Sequence, residues 1–440
     1  MHYSFISSIK TKKLIKQLSL FFLLTIPFTG ISKSNNKDFF LYGDFIHKNN
    51  IRTVLFNQVG FELSDPIIRL NSGDRLILRF DDLDADYKRY FYTIIHCDAH
   101  WQPSELMEYE YIDGFYEDEI RDFRRSMSTR ASYTHYYMEF PSHNLRPTIS
   151  GNYILKVYLD GNPDDVVFTR RFMVFEERVS VGGYVQQANL VRYRDRMQQL
   201  NFQVNLGNYR MSNPYRDMKL VITQNGRWDN AIIDLEPRSI QGNMLVYDHE
   251  IETLFEGGNE FRRFDIRSLR FPSERIHDIN SSRRHWDVFL VADKLRTFHR
   301  YVSDSDINGR FKVETHDAQN NQLESDYAWV HFHLPMDAPL EEGYLYVMGA
   351  LTDWQFSDDN RMNYNYGERA YELSLLLKQG YYNYMYAILE DEYSPADIFP
   401  TEGSHSTTEN DYSIFVYHRE PGDLYDRLIG VGHFNSATSR

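Results

Sequence analysis

Alternation of apolar and polar residues with a period of two recurs along most of this chain, and it predicts strands far more often than helices. The run RYFYTIIHC places Tyr90, Tyr92, Ile94 and His96 on one face and Phe91, Thr93, Ile95 and Cys97 on the other. NYILKVYLD (152–160) and VVFTRRFMVF (166–175) flank the turn DGNPDD and predict a hairpin. RLILRF (75–80) follows the turn NSGD and adds another strand. Within this first block the spacing changes once: Ile120, Phe123 and Met127 fall at helical intervals, so EDEIRDFRRSM predicts a short surface helix.

Further strands are predicted at LNFQVNL (200–206), MKLVIT (218–223) and HWDVFLVAD (285–293), then at GYLYVMGAL, YELSLLLKQGYYNYMYAI and DYSIFVYH. The expected fold is all-β, a tandem array of immunoglobulin-like or early-set β-sandwiches. The expected divisions are a first sandwich at 51–177, a second at 178–323, a third at 324–420 and a loose tail at 421–440. No repeat of 20–50 residues and no low-complexity linker separates the blocks.

The N-terminus breaks this pattern. Lys10, Lys12, Lys13 and Lys16 precede the apolar run LSLFFLLTIPFTGIS (18–32), which Pro27 interrupts and which is short for a bilayer span. Residues 1–32 therefore read as a signal peptide and 33–50 as a leader to the first sandwich. No cysteine follows the run, so a lipoprotein anchor is not expected, and no other apolar segment is long enough to cross a membrane as a helix. Removing four lysines and no acids takes the formal charge from −15 to −19. That balance repels phosphate backbones and argues against nucleic acid as a partner. Aromatics make up 15% of the 440 residues, a composition that suits pleated sheet.

Candidate chemistry begins with HCDAHW (96–101), which holds two histidines, an aspartate and the single cysteine of the chain. One cysteine builds neither an internal disulfide nor a multi-cysteine zinc site. On a strand His96 and Asp98 share a face, but WQPS ends the strand before His100 joins them. The motif therefore reads as a packed strand end around Cys97 and Trp101. In DSDINGRFKVET, Asp304, Asp306, Asn308 and Gly309 match the first half of a calcium loop, but Thr315 falls where the bidentate acid belongs, and a turn between strands is the plainer reading. Neighbouring acids in DDLDAD (81–86) and YEDEI (116–120) could suggest glycoside hydrolysis, yet neighbours in sequence say nothing of the separation in space that this chemistry needs. Arg227, Trp228, Asp229 and Asn230 follow a strand and could either face a partner or pair internally, as could Arg262 and Arg267. Trp354 with Tyr381, Tyr382, Tyr384 and Tyr386 could form a sugar-stacking platform, although alternation turns half of those tyrosines inward. No G-x-S-x-G, H-E-x-x-H, Walker or G-x-G-x-x-G motif occurs.

The ordered set HCDAHW, EYIDGF, THYYMEFP, SGNYILKVY, FTRRFMVF, QNGRWDN, FEGGNEFR, DINGRF, ESDYAWV, LKQGYYNY and YDRLIGV resembles the plug protein family of the type IX secretion system, over about residues 51–431. The family's usual first motif is HCDADW, so His100 stands where an acid is common. The resemblance implies a periplasmic β-rich protein that binds the periplasmic mouth of a very large outer-membrane translocon barrel and closes it between cargoes. The third block also resembles the early-set sandwich of glycogen-binding modules through GALTDW (349–354) and GYYNYMYAI (380–388), which implies shared fold and not sugar binding.

The expectation is thus a non-enzymatic periplasmic subunit, with no catalytic, cofactor-binding or metal-ligating residue nominated and no partner-binding residue transferred from the family. The alternatives are an exported carbohydrate-binding protein using aromatic platforms and an exported glycosidase.

Overall fold

The computed structural model describes residues 43–391 and 394–438. The expected signal peptide and most of the leader lie outside the described residues. Nearly all regular structure is strand, and the strands form three β-sandwiches.

In the first sandwich, Phe45–Ile46, Val166–Phe175, Gly151–Leu159, Tyr90–Cys97 and Asp118–Ile120 make one sheet in that order, with Ile67–Arg69 running parallel to Val166–Phe175. Ile51–Gln58, Leu76–Asp82, Thr134–Phe140 and Asp122–Arg125 make the other. Apolar and aromatic faces meet between them: Phe80 stacks on Tyr136 and meets Tyr90 and Phe168 edge-on. The hairpin expected at 152–175 forms. The helix expected in EDEIRDFRRSM does not. That stretch is two short strands, Asp118–Ile120 and Asp122–Arg125, pairing with opposite sheets. Only Ile120 is buried while Phe123 and Met127 are exposed, so their helical spacing was not the spacing of a buried stripe.

The remaining two sandwiches do not follow one another along the chain. Ser180–Gln187, Met197–Asn205, Met244–Tyr247 and Ser239–Gln241 form one sheet of the second sandwich. Its facing sheet is Arg227–Ile233, Met218–Gln224, Asp411–His418 and Arg427–Asn435. The strand at 411–418, expected in the third block, and the supposed tail at 421–440 therefore complete the second sandwich. Everything from Arg262–Asp265 to Gly380–Leu389 builds the third sandwich, inserted into the second. The expected divisions 178–323, 324–420 and 421–440 are corrected accordingly. Period-two patterning locates strands but does not say which strand each one pairs with.

The two crossings into and out of the insert are bound to each other. His405 N donates to Gly258 O, Asn259 Nδ2 to Glu402 O and Asn410 Nδ2 to Gly257 O. The approach is so close that a Cβ on Gly257 would lie 2.1 Å from His405 O, which only glycine avoids.

Candidate functional site

The residues that carry potential chemistry gather where the three sandwiches touch. HCDAHW closes the strand Tyr90–Cys97 against the second sandwich. His96 is buried, with Nδ1 2.9 Å from Ser104 Oγ and Nε2 3.2 Å from Ser150 O. A carbonyl oxygen only accepts, so Nε2 carries the proton and Nδ1 accepts from the serine hydroxyl. Both ring nitrogens are thereby engaged. Burial pushes the ring's pKa down to about 4, which keeps it neutral. Cys97 is buried, and burial pushes its thiol well above the ordinary range, where it is unreactive.

Asp98 organises the turn that follows. Its Oδ1 accepts from His100 N and Gln102 N, both at 2.9 Å, while Trp101 takes a left-handed backbone with φ of 63°. The turn then reaches across to the second sandwich. Ala99 N donates to Asp426 at 3.0 Å, His100 Nε2 lies 2.8 Å from Asp234, and Trp101 meets Trp228 edge-on. Asn152 links Asp98 O to the Tyr417 hydroxyl. Cys97, Trp101, Ile154 and Met173 share one apolar cluster with Val221, Phe415, Tyr417 and Leu428. HCDAHW is therefore packing, as expected, but it is the packing of a joint between sandwiches.

A second joint, between the first and third sandwiches, is ionic. Asp81 and Lys378 are both buried and 2.6 Å apart. Asp81 also receives hydrogen bonds from Tyr327 at 2.6 Å and pairs with His135 Nδ1 at 2.7 Å. Burial works to raise the Asp81 pKa, but Lys378 and His135 outweigh it and hold the carboxyl below its ordinary value. Nearby, Asp326 accepts from Arg130 N, Ala131 N and the Trp286 indole, and the Arg130 guanidinium lies 3.8 Å from the Trp286 ring centre. The DDLDAD acids are thus partly structural: Asp81 joins sandwiches and Asp82 accepts from Tyr90 and Asn50. In YEDEI, Asp118 pairs with Arg121 and Glu119 with Arg89.

Between these joints lies a cleft of about 460 Å³ with walls from all three sandwiches. Arg170 from the first sandwich pairs with Asp353 of the third at 3.0 Å, and Arg310 of the third pairs with Asp65 of the first at 2.9 Å. Arg171 lies over the rings of Trp101 and Trp228, 4.6 and 5.3 Å from their centres. Trp354 stands against Phe261 and the Cα of Gly309, where a Cβ would come within 2.4 Å of the indole. Of these wall residues the sequence had singled out Trp101, Trp228 and Trp354, and it missed Arg170, Arg171, Asp65, Arg310 and Asp353. The signal that pointed to them is the TRRF arginine pair in the middle of an otherwise apolar strand, where a charge is affordable only with a partner.

Of the other nominated groups, only Trp228 and Asp229 reach the cleft. Arg227 is buried, pairs with Asp229 at 2.6 Å and donates to Ala396 O; Trp228 stacks on Phe415. Arg262 pairs with Glu402 and Asp293, and Arg267 with Asp265 and Glu314. The internal-pairing alternative holds for all of them. Asp306 accepts from Asn308 N and Phe261 N, Asp304 pairs with Arg263, and Glu314 pairs with Arg267 and Lys312, so the acids of DSDINGRFKVET serve a turn and ion pairs. Tyr382, Tyr384 and Tyr386 are core residues, the last two donating to buried Asp293, so they form no platform with Trp354.

Fold and site together define an all-β protein of three sandwiches joined by buried polar and apolar contacts. Residues 51–176 match the family model for the type 9 secretion system plug protein's first domain, so this part of the chain is a plug-family domain. A crystal structure of a hypothetical protein from Parabacteroides merdae is similar over 89% of this chain and 99% of its own, at 34% identity with a TM-score of 0.87. A putative membrane anchored protein from Corynebacterium diphtheriae aligns over 87% of this chain and 90% of its own at 10% identity, with a TM-score of 0.13. No curated protein matches.

Proposed function

We infer that this protein is a periplasmic, non-enzymatic subunit that closes the periplasmic opening of the type IX outer-membrane translocon between cargoes. The observation that carries this reading is the match of residues 51–176 to the plug protein's first domain. The joints support it. Closing a pore needs a body that keeps its shape under load, and buried ion pairs across sandwich boundaries resist sliding of one unit over another. Sealing also needs an interface on the order of 1,600 Å² with aromatic anchors and a polar rim that permits release.

Arg227 is buried and Trp228 is half-buried against Phe415, so neither is a good anchor for that contact. Tyr109 and Phe115, 70% and 67% exposed on the first sandwich, are the anchors to test. Purification of the tagged protein from detergent-solubilised envelopes should recover a giant outer-membrane barrel, and Y109S/F115S should reduce that recovery while leaving the fold intact. Recovery of the protein alone, with retention on polysaccharide, would replace this reading with the carbohydrate-binding one.

A further inference from the structure

We propose that the free edge of the strand Ser180–Gln187, in the second sandwich, is a strand-addition site for an extended, acidic segment of another polypeptide. The inference goes beyond the plug reading and does not rest on it.

The backbone groups that this edge offers follow from its ladder. Ser180–Gln187 pairs only with Met197–Asn205, antiparallel and without a register shift. Leu200 N and Leu206 N donate to Thr253 O and Asn243 O on the far side of Met197–Asn205, while Ala188 N donates to Met197 O. The even-numbered residues of Ser180–Gln187 therefore bond to the ladder, and Val181, Gly183, Val185 and Gln187 turn their N–H and C=O groups outward. One end of the edge is closed by the facing sheet: Val179 N donates to Ile429 O, and a Cβ on Gly432 would lie 2.7 Å from Val181 Cβ. From Gly183 onward the two edges part. Among the described residues no hydrogen bond reaches the outward groups of Gly183, Val185 or Gln187. Val185 is only 3% exposed, and a nearly buried N–H and C=O without partners are rare in native chains.

Other sheet edges are guarded against such pairing. Asp118–Ile120, Ser239–Gln241 and Asn363–Asn365 are three residues long, and Asp122–Arg125 is charged. Ile51–Gln58, Arg227–Ile233 and Ile276–Ser281 break register. Ser180–Gln187 has eight residues, SVGGYVQQ, with no charge, no proline and no register shift.

The partner's chemistry follows from what stands beside the edge. Where the edges part they leave a groove of about 610 Å³, with Tyr184 and Val185 on one side and Ser406, Thr408 and Ser436 on the other. That space takes a few side chains of an added strand. Arg194 is the one charged residue in the groove's lining, and among the described residues its guanidinium donates only to Asn189 O, at 3.4 Å. In a chain of net charge −15, an arginine unopposed at an open edge is complementary to a carboxylate. Two copies joined edge to edge would instead bring together two such grooves with no acid in either lining. An added strand meets the outward groups with its own main chain and Arg194 with an Asp or Glu.

The test is a selection of random nine-residue peptides displayed on phage against the full chain, followed by synthesis of the enriched sequences. Those peptides are expected to alternate β-branched residues and to carry Asp or Glu. Their binding should slow hydrogen exchange across 180–188. Methylating alternate backbone nitrogens of the peptide, or replacing its acid by lysine, should weaken binding by about tenfold or more, as should R194E. Q187P removes an outward N–H and puts a ring in the path of the added strand while sparing the ladder to Met197–Asn205, and it should abolish binding. R194E alters an exposed side chain and keeps the test decisive if Q187P does not fold. No enrichment, or peptides that bind the unaltered chain, R194E and Q187P alike, would overturn the proposal. A dimer of the peptide-free chain in sedimentation, dissociated by Q187P, would overturn it in favour of a second copy as the occupant.

Discussion

His96 shows how a residue that looks reactive becomes a stability element. The fold favours its neutral ring, with a pKa near 4 against an ordinary 6.5. Its contribution is complete above pH 6.5 and is lost as the pH falls toward 4, by about 3 kcal/mol in all. Chemical denaturation at pH 7 and pH 4.5 should show this loss, and H96Q should show a flatter profile between the two. Lys378 makes the companion case for charge. Lys378→Met leaves the buried Asp81 carboxylate without its main counter-charge and should cost about 3–5 kcal/mol in urea unfolding, whereas D81N/K378M should recover a large part of it. At this scale the sequence was legible in part. The burial of Cys97 follows from the alternation of its strand, but the role of HCDAHW does not, because its partners Asp234 and Asp426 lie 134 and 327 residues further along the chain.

Strands were readable because a half-buried strand writes its own pattern, and the hairpin at 152–175 was readable because its turn is local. Pairing between distant strands leaves no such trace. Residues 411–435 alternate as any strands would, and nothing in them says that Met218–Gln224 is their neighbour. The supposed helix at 117–127 failed for a related reason: in a short window, three apolar residues satisfy several periods, and pairing with flanking strands decides. The C-terminal strand carries a direct prediction. Ending the chain at residue 420 removes Arg427–Asn435, takes Gly430 and Val431 from beside Val416 and Phe415 and should abolish cooperative folding of the second sandwich, seen as loss of the unfolding transition and exposure of Cys97 to a thiol reagent. A dispensable tail would show neither effect.

For the whole molecule, the joints make three sandwiches behave as one. Insertion of the third into the second, the Asp81–Lys378 pair and the HCDAHW cluster connect every sandwich to both others. Thermal unfolding should therefore give a single calorimetric transition, and labelling of Cys97 should keep step with it. In K378M the third sandwich should separate as an earlier transition, while Cys97 remains protected until the second. The insertion has a further consequence, for the order in which the protein is made. A chain emerging N-terminus first can finish the first sandwich at Phe175 and the third at about Glu402, but the second must wait for Asp411–His418 and Arg427–Asn435. The sandwich begun in the middle of synthesis is the last to close, and until it does, the half-built sheet at 218–233 is the segment most in need of a chaperone's shelter.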